Sequence, residues 1–415
     1  MSGALPDWSF ARAWRRDSHL GDKLNDSVPL TGGWYTDGGH LKSSLTIASS
    51  ASLMAFAALT WEDSIRTINT TPDVGDRNDT AAWDQLLRNL DWAADYLHRC
   101  ATAGGSGTFV AQVGDHYTED SYWGAPEDEP ASTFRPIWVV RDSNREGADV
   151  VSQAVAALTG VGLLLQRSSP GRWPAERAQR YLDKADELWA WGQNLDSVWQ
   201  APEGNITVTG YTYSDDKAWA AAWLCKRAIL TNGTNAEAVC NEAADMWGDY
   251  IMREGVLTTD NWAAAALLLL RDTGAGGLTE RYMAGLRGPA MAFVALAAAE
   301  DPADPAEARR WQCWAKGQVD WLLGNNPAKQ ALVTGLEDAP GFSGITVPEQ
   351  PHHRGSACMG GVCAPRGQPN PRPLPGALLA GPQRDGTVAD SRDNGPYSFV
   401  SIEYNAAFAA ALMGN

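Results

Sequence analysis

The sequence predicts an all-α fold closed into a toroid, and three observations carry that prediction. Runs of Ala, Leu, Trp and charged residues recur at helical spacing along nearly all of the 415 residues. Strand-like alternation is scarce. No linker separates the helical runs, so a succession of hairpins closing on itself accounts for the chain better than separate bundles do. Residues 1–415 are therefore read as a single domain.

In chain order, the helical pattern covers 43–60, 82–103, 147–166, 174–195, 214–231, 235–252, 260–272, 279–299, 305–323 and 403–413. The Gly-, Pro- and Asp-rich segments 104–146 and 324–402 are too long to be simple connectors in a compact fold. Long loops between packed helices commonly build a functional surface.

Composition narrows the function. A formal charge of −17 repels phosphate backbones and anionic membrane surfaces, which argues against nucleic acid as a partner and leaves a neutral polymer compatible. Apolar runs such as 263–270 fall well short of the ~18 residues that read as a membrane span, so none is expected. Nineteen tryptophans suit both aromatic helical cores and sugar-stacking surfaces, and most are assigned to the core. The six cysteines lack Cys-x-x-Cys or Cys/His spacing, which argues against zinc; Cys358 and Cys363, in one Gly-rich loop, are the best candidates for a disulfide. Sequons at Asn25, Asn69, Asn78, Asn205 and Asn232 would suit a secreted protein but discriminate weakly. No basic start followed by an apolar stretch marks a signal peptide. Oligomeric state is not legible.

Residues 32–42, Gly-Gly-Trp-Tyr-Thr-Asp-Gly-Gly-His-Leu-Lys, read as a binding loop. Paired glycines let the backbone turn sharply, and Trp34 and Tyr35 offer flat faces that suit a sugar ring. The stretch resembles the Gly-Gly-Trp-Tyr-Asp-Ala-Gly-Asp-His-Val-Lys segment of family 9 glycoside hydrolases, the cellulase family. Further segments match in the family's order: Trp14-Arg-Arg-Asp-Ser, Gln112-Val-Gly-Asp with Trp123 and Pro126-Glu-Asp, Leu322-Leu-Gly-Asn-Asn-Pro, Pro351-His-His-Arg, Gly376-Ala-Leu-Leu-Ala-Gly-Pro and Tyr404-Asn-Ala-Ala-Phe. The resemblance implies an (α/α)6 barrel, the six-hairpin glycosidase toroid, with an open cleft across one end. It also implies endo-β-1,4-glucanase activity on a cellulose-like polysaccharide, an extracellular location and no cofactor for the chemistry. Ser2-Gly3-Ala4-Leu5 resembles the end of the family's first helix, so the barrel is expected to lack that helix. No carbohydrate-binding module is expected after Asn415.

The chemistry departs from the family. Inverting hydrolysis needs a base that activates water and an acid that protonates the leaving oxygen, roughly 6.5–9.5 Å apart. The family's two loop aspartates fall on Thr36 and Gly39, and its glutamate acid falls on Phe399, although Asp390, Arg392, Tyr404, Asn405 and Ala406 keep their places. Losing a single general acid or base costs about 10²–10⁴ in rate, so weak or absent hydrolysis is expected. Two acids are candidate substitutes: Asp37, between the two lost aspartates, and Glu403, four residues after Phe399. Against these stand a turn-forming role for Asp37 and a structural role for Glu403.

The catalytic candidates are thus Asp37, His352, Asp390 and Glu403, and the substrate-binding candidates are Trp34, Tyr35, Trp123, His352, Arg354 and Tyr404. His352 and Arg354 match a His-x-Arg pair that contacts sugar in the family, although an insertion between Gly335 and Pro351 blurs their placement. Asp120 stands where a sugar-binding histidine is expected. By the same resemblance, Asp215, Asp216 and Asp260 would hold a structural Ca²⁺ through carboxylate oxygens; helix capping accounts for the three equally well. Three outcomes follow: an active glucanase with altered chemistry, a catalytically silent β-glucan binder, or an N-terminally truncated fragment that folds poorly.

Overall fold

The computed structural model describes residues 1–68, 82–168, 173–201, 212–248, 262, 265–266, 269, 289–300, 305–372 and 374–415. Its long helices are α1 (Ser44–Thr60), α2 (Ala82–Ala103), α3 (Ala148–Arg167), α4 (Ala175–Gly192), α5 (Ser214–Leu230), α6 (Ala236–Gly248), α7 (Pro289–Ala299), α8 (Pro305–Leu322) and α9 (Ile402–Met413). Each lies on a run predicted from spacing. The predicted 260–272 helix lies almost wholly outside the described residues. Before α1 the one helical element is a 3₁₀ turn at Phe10–Ala13.

Two kinds of helix alternate, and their sequences explain why. In α3 every residue from Ala148 to Leu165 is buried, α1 is buried almost end to end, and α7 is buried from Ala292 to Ala299. A helix that is apolar all round has no face for water, so it goes to the middle. By contrast α2 buries Trp83, Leu87, Leu90, Ala94, Leu97 and Ala101, and α4 buries Ala178, Tyr181, Leu182, Ala185 and Leu188. That 3.6-residue stripe gives one covered face and one wet face. Accordingly α3 packs on α1 and α5, and α9 packs on α1 and α7, forming the inner wall, while α2, α4, α6 and α8 lie against it from outside.

α3 is long and apolar enough to cross a membrane, a feature missed in the sequence, but its whole apolar window is buried inside the protein. Inside the ring, Phe56, Trp219, Trp223 and Phe293 meet edge to face or tilted, and Trp262 stacks on Trp219 at 5.3 Å. Trp219 Nε1 donates to Ser52 Oγ at 2.9 Å, which satisfies its buried polar atom.

The segment 104–146, expected as a loop, contains strands. β1 (Lys42–Ser43), β2 (Thr108–Val113) and β3 (Ile137–Arg141) form an antiparallel sheet in that order. β2 is buried on both faces beyond Thr108, so it shows no alternation to betray it. Lys42 pairs with Val113, so the loop entering β1 and the loop leaving β2 meet at one end of the ladder. A second ladder joins β4 (Cys358–Met359) to β5 (Val362–Cys363), with the expected Cys358–Cys363 disulfide across it. A further disulfide, Cys225–Cys240, ties α5 to α6.

Candidate active site

The 32–42 loop is clamped onto the 352–354 segment. Arg354 N–H donates to Gly38 O at 2.8 Å, and a Cβ at Gly38, whose φ is +70°, would stand 2.9 Å from His353 Cα. Only glycine fits there. The preceding residue, Asp37, adopts φ +50°, the left-handed region that Asp tolerates better than most. Burial raises its carboxyl pKa, against the opposing pull of His116.

Glu403 lies at the start of α9, where Ser401 Oγ accepts its N–H at 3.2 Å and also contacts its carboxylate. Burial first, and then the Asp37 charge, push Glu403 up to about 7. The charge of Asp37 is thus felt at Glu403, which also serves the helix N-terminus. Tyr404, beside it, is exposed.

His352 is fixed by its backbone and its ring. Its N–H donates to Ser398 O at 2.8 Å, and Nδ1 donates to Arg392 O at 2.6 Å, because a carbonyl can only accept. Its ring meets Phe399 edge-on at 4.5 Å and Trp123 at 4.8 Å. Arg354 sets its guanidinium 5.5 Å from the Trp123 ring centroid and donates to Glu119 O. Trp123 is itself exposed.

Three candidates are corrected. Trp34 and Tyr35 are buried and cannot stack on a sugar: Trp34 joins the hydrophobic core, and Tyr35 Oη is bonded to Ser18 Oγ at 2.9 Å and to His19 Nδ1 at 2.5 Å. Asp390 is an anchor rather than a reacting group. Its carboxylate accepts the N–H groups of Glu349 and Gln350 at 2.7–3.1 Å and so holds the segment that leads to His352.

Sequence reasoning passed over Glu119. Its carboxylate accepts the N–H of Leu41 at 2.7 Å and the N–H of His40, and it lies 3.8 Å from Arg354 Nη1. A Cβ at Gly39 would stand 2.8 Å from Glu119 Cδ. The space that a side chain at 39 would fill is thus taken by a carboxylate arriving from the short helix His116–Ser121 that follows β2. Burial raises Glu119 to about 7, with Arg354 opposing and Asp37 adding. The pairing of β1 with β2 places 114–121 against 36–41, and no period of two in Thr108–Val113 announces that pairing in the sequence.

The expected calcium ligands are bonded within the protein. Asp215 accepts from Thr212 Oγ1 at 2.5 Å and from Trp262 N–H at 3.2 Å, and Asp216 accepts from Gln153 Nε2 at 2.7 Å. Asp260 lies outside the described residues.

The Glycosyl hydrolase family 9 profile matches residues 1–412. The chain belongs to that family. Curated relatives of this family 9 chain include Endoglucanase A of Bacillus pumilus, 27% identical over 99% of this chain and 63% of that protein. Endoglucanase 8 of Oryza sativa subsp. japonica is 26% identical, over 100% and 87% respectively. The chain spans under two thirds of the length of the two Bacillus relatives, at 63% and 65%. Among solved structures, the endoglucanase of the termite Nasutitermes takasagoensis superposes with a TM-score of 0.79 at 25% identity, covering 100% of this chain and 94% of that one. The cellulase Cel9M of C. cellulolyticum, solved with cellobiose, gives 0.76 at 25% identity, covering 97% and 91%. The fold is the family's (α/α)6 barrel.

Proposed function

We propose that this family 9 chain binds β-1,4-glucan at the His352 end of the ring and hydrolyses it slowly or not at all. The observation that carries this is the packing of Phe399 on His352 at 4.5 Å. A phenyl ring stands beside the histidine at the position the family resemblance assigns to its acid, and a phenyl ring cannot give a proton to a leaving oxygen. Trp123, exposed against His352 and Arg354, supplies a face on which a pyranose ring can stack. The cellobiose complex of Cel9M supports a β-glucan as ligand class.

The test is paired. Calorimetric titration with cellotetraose is expected to show binding, while reducing-sugar release from a soluble cellulose derivative stays at least about a hundredfold below an active family member, following the cost of a lost acid. Failure to bind would refute the proposal; full turnover would refute its silent half. A second reading, inverting hydrolysis by relocated acids, is favoured by the charge of Asp37 felt at Glu403. It requires measurable turnover that Asp37→Asn or Glu403→Gln abolishes.

A further inference from the structure

Behind the 32–42 loop, three side chains from distant segments converge. His19 Nε2 and His40 Nδ1 each lie 2.7 Å from the same oxygen, Glu129 Oε2. All their donor atoms fall within 4.8 Å of one another. The side chains are 7%, 1% and 3% exposed respectively, so no bulk water competes for them. Behind His19, Tyr35 Oη sits 2.5 Å from Nδ1 and Ser18 Oγ holds Tyr35 at 2.9 Å, which aims Nε2 inward.

We propose that His19 Nε2, His40 Nδ1 and the Glu129 carboxylate form a divalent-metal site, with Zn²⁺ the cation the donor set suits best. Two imidazole nitrogens and one carboxylate oxygen are borderline donors of the kind zinc takes at about 2.0–2.2 Å, with a fourth position left for water. Without metal, both imidazoles give an N–H to one oxygen. On binding, each ring presents a lone pair to the cation and carries its proton on the other nitrogen. His19 Nδ1–H then donates to Tyr35 Oη, whose hydrogen turns to Ser18 Oγ, and His40 carries its proton on Nε2. The exchange is tautomeric: no proton is released and nothing is oxidised.

The hydrogen bond from His19 to Tyr35 is the outer-sphere support that metal-bound histidines use to fix their tautomer. Neighbouring cations are already matched. Arg135 is bonded to Asp22 at 2.9 Å and Arg15 to Glu127 at 2.8 Å, so neither presents an unpaired charge to the site. A cation there would staple the N-terminal segment, the 32–42 loop and the turn after Pro126, three pieces more than a hundred residues apart at the extremes. Cysteine spacing gives no hint of it, because no cysteine takes part.

The full chain, treated with EDTA and dialysed, is titrated with ZnCl₂ by calorimetry and melted with and without the metal. One equivalent is expected to bind, and Tm to rise by roughly 3–6 °C at a hundredfold excess over Kd. Glu129→Gln, which keeps a hydrogen-bond acceptor, and His19→Asn are expected to weaken binding at least tenfold, whereas Cys313→Ser leaves it unchanged. Absence of uptake by the wild-type protein, or unchanged uptake in both ligand variants, overturns the proposal. Should either variant fail to fold, Co²⁺ added to the wild-type protein decides: tetrahedral ligand-field bands without a thiolate charge-transfer band support the site, and a thiolate band or no such bands overturn it.

Discussion

The Glu119 carboxylate occupies the space into which a side chain at Gly39 would grow, with Cδ 2.8 Å from the Cβ that residue lacks. The two positions are therefore one site read from two segments. Gly39→Ala is expected to displace Glu119 from the N–H groups of His40 and Leu41 and to cost about 1–3 kcal/mol, the usual range for overpacking. In a Glu119→Ala background the same change should be nearly neutral. Thermal melts of the two single variants and the double variant form the cycle that checks it; additive effects would show that the two residues do not share the space.

Glu119 and Glu403 also set how stability depends on pH. Both have folded-state values raised to about 7 by burial, so the folded protein holds protons that the unfolded chain releases above the ordinary carboxylate range. Their contribution is fully present below about pH 4.5 and is lost as pH rises toward 7. His40 and His353 act oppositely. Burial lowers them to about 4 and about 3, so their contribution is present above about pH 6.5 and is lost as pH falls. Glu403→Gln removes one of the first kind, and its Tm relative to wild type should climb between pH 5 and pH 8. A parallel pair of Tm curves would contradict this.

The ring was legible because its helices are long and strongly patterned: the all-buried run at 148–165 and the striped run at 82–103 report their own burial. The 104–146 strands were not, since Thr108–Val113 is buried on both faces and lacks a period of two. Asp37 and Glu403 were named from position alone, and the charge of Asp37 is among the causes that raise Glu403. Glu119 escaped because its place is defined by a cavity at Gly39, and a missing side chain leaves no trace in a sequence. Trp34 and Tyr35 look the same in sequence whether they face a ligand or the core.

Stacking and structural aromatics should separate by experiment. Trp123→Ala is expected to weaken cellotetraose binding about tenfold, the equivalent of ~1.4 kcal/mol, while Tm barely moves, because the indole is exposed. Trp34→Ala should do the reverse and cost about 3–5 kcal/mol of stability, as large-to-small changes in a core do. Calorimetric binding and thermal melts on both variants check the contrast. Equal loss of binding in two well-folded variants would put Trp34 back in the cleft.

Phe399→Glu tests whether the missing acid limits turnover. The residue sits edge-on to His352 at 4.5 Å, and its backbone is held by a parallel bridge to that histidine, so a carboxyl placed there starts from a fixed position. Restoring a general acid is expected to raise reducing-sugar release by roughly 10²-fold, the lower end of what such a group contributes. Asp37 on the 32–42 loop and Glu119 on the short helix His116–Ser121 remain to activate water, so the gain should vanish when Asp37→Asn and Glu119→Gln are added. Unchanged turnover in a folded Phe399→Glu protein that still binds cellotetraose would mean that the water-activating side limits the rate. The deficit would then lie at Thr36 and Gly39 rather than at Phe399.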